Sequence, residues 1–216
     1  MIITVAQQKG GAGKTTLAAQ LAVAFAAMRR SVATIDIDPQ GSLSRWAEVR
    51  SQRLGENNKL THVKATGWRS SQQAEQLAKT HQVVIIDSPP HAETDARLSV
   101  RVADIILIPV QPSPMDVWAT QATLQLARQE RVPTLIIPNR VPPRSNMAEG
   151  ILENLDQLGS PVSRIRLGSR VAYAESLLNG LGVIEFQPLS TAADEMAALA
   201  REVVRNMSMQ QRKAAA

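Results

Sequence analysis

The 216-residue sequence has no cysteine, which excludes disulfides, thiolate-bound metals and cysteine-held clusters. Histidine is scarce: His62, His81 and His91 lie apart, without the spacing of a ligand set, and read as ordinary surface or core residues. No apolar run approaches the ~20 residues that a membrane-spanning helix needs. The opening Met1-Ile2-Ile3-Thr4-Val5 carries neither a charged leader nor a cleavage site, so export is not expected and a cytoplasmic protein is. Acids are outnumbered, 19 against 24 Lys and Arg, for a net charge of +5. That excess favours a polyanionic partner, either nucleic acid or an acidic membrane surface. What remains is a globular composition, 44% hydrophobic and 20% charged, long enough for one domain spanning 1–216. No internal repeat or linker divides it.

The stretch Gln8-Lys9-Gly10-Gly11-Ala12-Gly13-Lys14-Thr15-Thr16 reads as a phosphate-binding loop between a strand and a helix. Its glycines let successive amides point into one concavity, and the helix beginning near Lys14 adds the positive end of its dipole. Lys14 can reach the β and γ phosphates, the Thr15 hydroxyl can ligand a magnesium ion, and Thr16 stands at the α phosphate. Gln8 occupies the position of the general pattern's first glycine, and Lys9 is surplus to a single nucleotide. A lysine there suggests a charge used elsewhere, on a second nucleotide across a dimer.

Ile2 to Ala6, Val32 to Ile37, Val83 to Asp87, Ala103 to Val110 and Val132 to Pro138 are apolar runs, as expected for strands buried on both faces of a parallel sheet. A short strand is possible over Leu60 to Ala65. Helical patterns follow the phosphate loop, with Leu17, Leu21 and Phe25 on one face, and recur over Ser42 to Arg53, Ser70 to Thr80, from about Asp116, and over Thr191 to Asn206. The last ten residues, 207–216, are expected to fray. The fold class is therefore α/β: a doubly wound, mostly parallel sheet flanked by helices. Asp36 and Asp38 end one strand and Asp87 another, at the edge where such sheets gather ligands. On spacing alone the first pair suits metal or water chemistry and an N-cap equally. Asp87 closes an apolar strand as a magnesium-holding acid would, ahead of Ser88-Pro89-Pro90. Asp116 reads as the cap of its helix. Asn139-Arg140-Val141-Pro142 lacks the acid that would read a guanine amino group, so adenine is favoured.

This loop resembles the deviant Walker A loop of the ParA/MinD family, K-G-G-x-G-K-[ST], and the likeness continues through D-I-D-P-Q at 36–40, S-P-P at 88–90 and I-P-V-Q-P-S-P at 108–114. It looks closest to small ParA proteins of the ParF-like kind, which lack an N-terminal DNA-reading domain. The resemblance implies a P-loop ATPase using ATP and Mg2+, with Gly10, Gly11, Ala12, Gly13, Lys14, Thr15, Thr16 and Asn139 at the nucleotide and Thr15, Asp36 and Asp87 at the metal, Asp36 being either more structural or near the magnesium. Lys9, Lys14 and Asp38 would be catalytic, with Asp38 orienting the attacking water. It also implies an ATP-dependent homodimer, nonspecific double-stranded DNA binding at the nucleoid and a ParB-like or cargo-specific adaptor that stimulates hydrolysis. Arg140, Arg144, Arg164, Arg166, Arg170, Arg201 and Arg205 are the candidate DNA contacts, drawn from two acid-free segments and the last helix. A MinD-like membrane switch is the alternative, since Arg201, Arg205, Arg212 and Lys213 crowd the C-terminal segment, but only valines and methionines face them. Other holders of the deviant loop fit less well: an iron-protein reductase needs cysteines, and a bacterial tyrosine kinase usually has a tyrosine-rich tail, where this chain has Tyr173 alone.

Overall fold

The computed structural model describes residues 1–66, 68–90 and 93–214, with 93–96 and 211–214 described by their backbone alone. The chain runs β1 (Ile2–Val5), α1 (Lys14–Ala27), β2 (Val32–Asp36), α2 (Ser42–Leu54), β3 (Leu60–Lys64), α3 (Arg69–Ala78), β4 (Val83–Asp87), α4 (Glu93–Arg101), β5 (Ile105–Val110), α5 (Pro114–Gln129), β6 (Thr134–Pro138), α6 (Asn146–Glu153), α7 (Val171–Leu178), α8 (Val183–Phe186) and α9 (Thr191–Ala214). The six strands form one sheet in the order β3-β2-β4-β1-β5-β6, and every pairing is parallel.

Each expected strand exists because its apolar run can bury both faces. Ile3, Val5, Ile85 and Leu107 point to the side covered by α1, α2, α7 and α9. Ile106 and Ile108 pack on the opposite side with α5 and α6, as do Val84 and Ile86 near α3. The doubly wound expectation therefore holds. Helix α1 lies so deep that Leu17 through Phe25 are all buried, which explains its alanines: Ala18, Ala22 and Ala24 leave room for the sheet and α9 to approach.

The parallel register positions the site. Asp36 pairs with Asp87 across β2 and β4, and Asp87 with Val5 across β4 and β1. Two acids remote in sequence thus stand side by side at the carboxyl edge, next to the loop leaving β1. Helices α4, α6, α7 and α8 have no clear sequence pattern; all four have nine residues or fewer. The last helix continues to Ala214, past the periodic signal that ends near Asn206, with Met207 buried and Met209 exposed on that continuation. His91 lies outside the described residues.

Candidate functional site

The loop after β1 is shaped by Gly11 (φ 76°) and Gly13 (φ 95°), both left-handed. Gly13 is also the N-cap of α1, with no side-chain cap to occupy the helix's first amides, so they remain available to an anion. A Cβ at Gly13 would sit 2.5 Å from Asn139 Nδ2. At Gly10 and Gly11 it would meet nothing within 4 Å, so the cradle is open on that side. Asn139 donates to the Ala12 carbonyl at 2.8 Å and accepts from the Arg140 amide; it braces the loop from β6. Gln111 does the same from the end of β5, donating to Gly11 O at 2.8 Å. Gln111 lies within the I-P-V-Q-P-S-P stretch at 108–114, but its bond to the loop depends on β5 lying beside β1.

Lys14 is buried, with its ammonium 3.4 Å from Lys9 O. Burial lowers its pKa, and the charges of Asp87 and Asp38 oppose that shift. Asp87 accepts from Thr15 Oγ1 at 2.6 Å through Oδ2, while its buried Oδ1 has no hydrogen-bond partner. Burial pushes the carboxyl up to about 7. An orphaned buried carboxylate oxygen beside a threonine hydroxyl and a phosphate cradle fits magnesium, which is commonly held by one or two side chains plus phosphate oxygens. Thr15 and Asp87 therefore fit the metal as expected.

Asp36 is less free. Its Oδ1 accepts from the Asp38 amide at 3.1 Å, and its Oδ2 accepts from both the amide and the hydroxyl of Ser44 at 2.8 Å. Three donors engage it, so it shapes the turn after β2 and holds the first turn of α2, the structural one of its two expected roles. Asp38 is half-buried, accepts from the Gln40 amide at 2.9 Å, and faces the same cavity of about 960 Å³ as Lys14, Thr15, Thr16, Asn139 and Arg140.

Lys9 is partly exposed. It forms an ion pair with Asp116, whose side chain is fully buried. Asp116 was expected to cap α5, yet Ser113 is the cap, accepting from the Asp116 amide, and its hydroxyl donates to the Asp116 carboxylate at 2.7 Å. The buried face of α5 continues with Thr120, bonded to Gln7 Nε2 at 2.9 Å, and Thr123, within 3.3 Å of both the Gln8 amide and Gln7 Oε1. This helix grips the start of the loop after β1 through polar contacts, from the face on which the i, i+4, i+7 spacing sets Asp116, Thr120 and Thr123.

The seven arginines separate. Arg166 is spent on Glu149 at 2.6 Å and Arg170 on Glu195 at 2.6 Å, so neither offers an unpaired charge to DNA. Arg140 and Arg144 are exposed in left-handed backbone (φ 52° and 55°). Arg164 and Arg205 line a second depression of about 610 Å³ between α9 and the segment after β6, and Arg201 is exposed one helical turn away. The side chains of Arg212 and Lys213 lie outside the described ones.

The family model for the CobQ/CobB/MinD/ParA nucleotide binding domain matches residues 3–184. Maintenance of carboxysome distribution protein A from Halothiobacillus neapolitanus is 28% identical over 209 residues, covering 94% of this chain and 95% of that protein. The protein of the same name from Gloeobacter kilaueensis is 30% identical over 190 residues, covering 86% and 85%. An ATP complex of an aspartate-to-alanine variant of Cyanothece McdA has the same fold, with a TM-score of 0.76 at 18% identity over 95% of both chains. The phosphate cradle, its buried lysine and the acids at the sheet's edge agree with that likeness: this chain belongs to the CobQ/CobB/MinD/ParA nucleotide-binding domain family.

Proposed function

We propose that this chain is a magnesium-dependent ATPase that dimerises on ATP, binds double-stranded DNA without sequence preference and positions a cargo through an adaptor that stimulates hydrolysis. One observation carries the reading: the open glycine cradle, buried Lys14, Thr15, Thr16 and Asp38 line one cavity, and Thr15 is hydrogen-bonded to Asp87. The names of the two relatives, both for carboxysome distribution, support a positioning role over metabolic chemistry. Thr15 and Asp87 would hold magnesium, which supplies screening of the phosphate charge. Lys14 and the amides ahead of α1 bind the phosphates, and Asp38 orients the attacking water. Lys9, once released from Asp116, reaches across to the partner's nucleotide, as an arginine finger does. With Arg166 and Arg170 engaged internally, the DNA surface is drawn from Arg140, Arg144, Arg164, Arg201 and Arg205. The protein then works in the cytoplasm, at the nucleoid.

The helical continuation of α9 to Ala214 and its exposed Met209 favour one second reading, a membrane-associated switch. Chromatography with and without ATP and magnesium, followed by sedimentation with duplex DNA or anionic liposomes, tests both. An ATP-dependent dimer that binds DNA is expected. Sedimentation with liposomes and indifference to DNA at low salt would replace the DNA reading with the membrane one.

A further inference from the structure

The turn that carries Asp38 is tied to the far edge of the sheet by one continuous chain of hydrogen bonds. Asp38 N–H donates to Asp36 Oδ1, and Asp36 Oδ2 accepts from Ser44 N–H and Oγ–H. Ser44 Oγ lies 3.0 Å from His62 Nε2, and His62 Nδ1 lies 2.9 Å from Thr34 Oγ1. The donors can be counted. Ser44 has one hydroxyl hydrogen and a carboxylate only accepts, so that hydrogen goes to Asp36 and Ser44 Oγ must accept from His62. Nε2 therefore carries the ring hydrogen. Burial lowers the His62 pKa against the charges of Asp36 and Glu48, which leaves a neutral ring at pH 7 whose Nδ1 accepts from Thr34 in preference to the longer 3.3 Å contact of that hydroxyl with Thr61 O.

The chain ties together elements that could otherwise shift. Asp36 and Thr34 belong to β2, Ser44 to the first turn of α2, and His62 to the edge strand β3. The N-cap of α2 is Gly41, which supplies no side-chain cap, so Asp36 and the hydroxyl it receives from Ser44 fix where α2 begins. Asp36 in turn fixes the backbone amide of Asp38. A histidine that merely satisfies the edge of a core would not need to end on the residue that sets a catalytic loop.

Resting on the reading of Asp38 above, we propose that His62 is a positioning residue for ATP hydrolysis: acting through Ser44 and Asp36, it holds Asp38 where the attacking water must be oriented. The reaction it serves is balanced by water alone. The water oxygen bonds to the γ phosphorus, the bond to the β,γ-bridging oxygen breaks, ADP leaves with that electron pair, and one water proton is released to solvent. His62 touches none of these atoms, so its removal should change the rate of the step and leave nucleotide affinity alone.

The test measures kcat by single turnover and, separately, the Kd for a fluorescent ATP analogue in His62→Leu, His62→Gln and Ser44→Ala, each alone and combined with Asp38→Ala. Misplacing a water-orienting group costs on the order of tenfold or more. His62→Leu should therefore lower kcat by about tenfold with Kd unchanged within about twofold. His62→Gln, which keeps a nitrogen donor at the position of Nε2, should restore most of the rate. On the Asp38→Ala background, His62→Leu should have no further effect, because its route to the water is gone. A parental kcat in His62→Leu overturns the proposal, as does an equal loss in the Gln variant or a full further loss when Asp38 is already absent. Should His62→Leu fail to fold, Ser44→Ala breaks the same chain without touching β3 and carries the same expectation. Parental hydrolysis by Asp38→Ala alone would instead remove the reading of Asp38, an outcome distinct from failure at His62.

Discussion

Two lysines five residues apart do different work. Lys14 sits inside the cradle, and its replacement by alanine is expected to abolish nucleotide binding because, among the described residues, no other buried cation lines the cavity. Lys9 is held by Asp116 outside it, so Lys9→Ala should bind ATP with near-parental affinity and lose dimerisation or hydrolysis. Titration with a fluorescent ATP analogue separates the two; equal loss of affinity in both variants would erase the distinction. Asp87 gives a pH prediction. Its carboxyl is raised by burial from the ordinary value of 3.8 to about 7, so between those values the folded state binds more protons than the unfolded one. Stability in nucleotide-free protein should then fall as pH rises from about 4 to about 7 and level off above. Asp87→Asn should flatten that part of the melting-temperature profile and lose most of the stabilisation that magnesium with nucleotide confers at pH 8.

Between elements, the contact that matters most for the catalytic side is the clamp of α2 on α8. Arg50 pairs with Glu185 through two hydrogen bonds of 2.7 Å, donates to Gly180 O at 3.1 Å, and stacks its guanidinium 5.6 Å from the Trp46 ring. Gly180 (φ 65°) lets this approach happen, since a Cβ there would lie 2.5 Å from the Arg50 amide. Burial alone would raise the Glu185 pKa, but the Arg50 hydrogen bonds, the Gly182 amide and the Arg50 charge together lower it. Its stabilising contribution is therefore present above the ordinary glutamate value and is lost as pH falls through the lowered one. Glu185→Ala leaves buried Arg50 unpaired and should cost about 3 kcal/mol at pH 7, with a smaller difference from the parent in acid; thermal unfolding at the two pH values checks it. Because α2 starts at the turn bearing Asp38, loosening this clamp should also slow hydrolysis.

Across the whole molecule the +5 charge is less informative than its distribution. Arg166 and Arg170 are neutralised by their glutamates, whereas Arg164, Arg201 and Arg205 make no ion pair among the described residues. A dimer would double the unpaired charge on one surface. DNA affinity should then rise with ATP and fall with salt by a log–log slope of about −0.9 per phosphate neutralised. Arg164→Ala with Arg205→Ala removes two arginines from each protomer and should shrink that slope by up to about 3.6 in the dimer, while Arg166→Ala and Arg170→Ala should change it little. Fluorescence anisotropy across a salt series measures both; an unchanged slope in the first pair would move the DNA surface elsewhere.

The sequence by itself determined the chemistry that depends on neighbours along the chain. Glycine-rich backbone followed by Lys14 and Thr15 makes a phosphate cradle by local conformation, and apolar runs bounded by polar turns make buried strands by burial alone. The α/β class and the acids at strand ends were legible for that reason. Only the tertiary structure decided what depends on strand order and register. The β2–β4 pairing sets Asp36 beside Asp87, and the surrounding donors divide their roles, filling one carboxylate and leaving an oxygen of the other bare. The placing of α5 against β5 and the loop after β1 turns Asp116 from a helix cap into the holder of Lys9, and the β2–β3 edge brings His62 to Ser44. Short helices such as α6 and α7 have too few residues to show a period and are held by packing, α7 against α1, α2 and α8, and α9 runs past its sequence signal with Met207 buried. Interactions between residues far apart in sequence leave no local period, so the chain encodes them without displaying them.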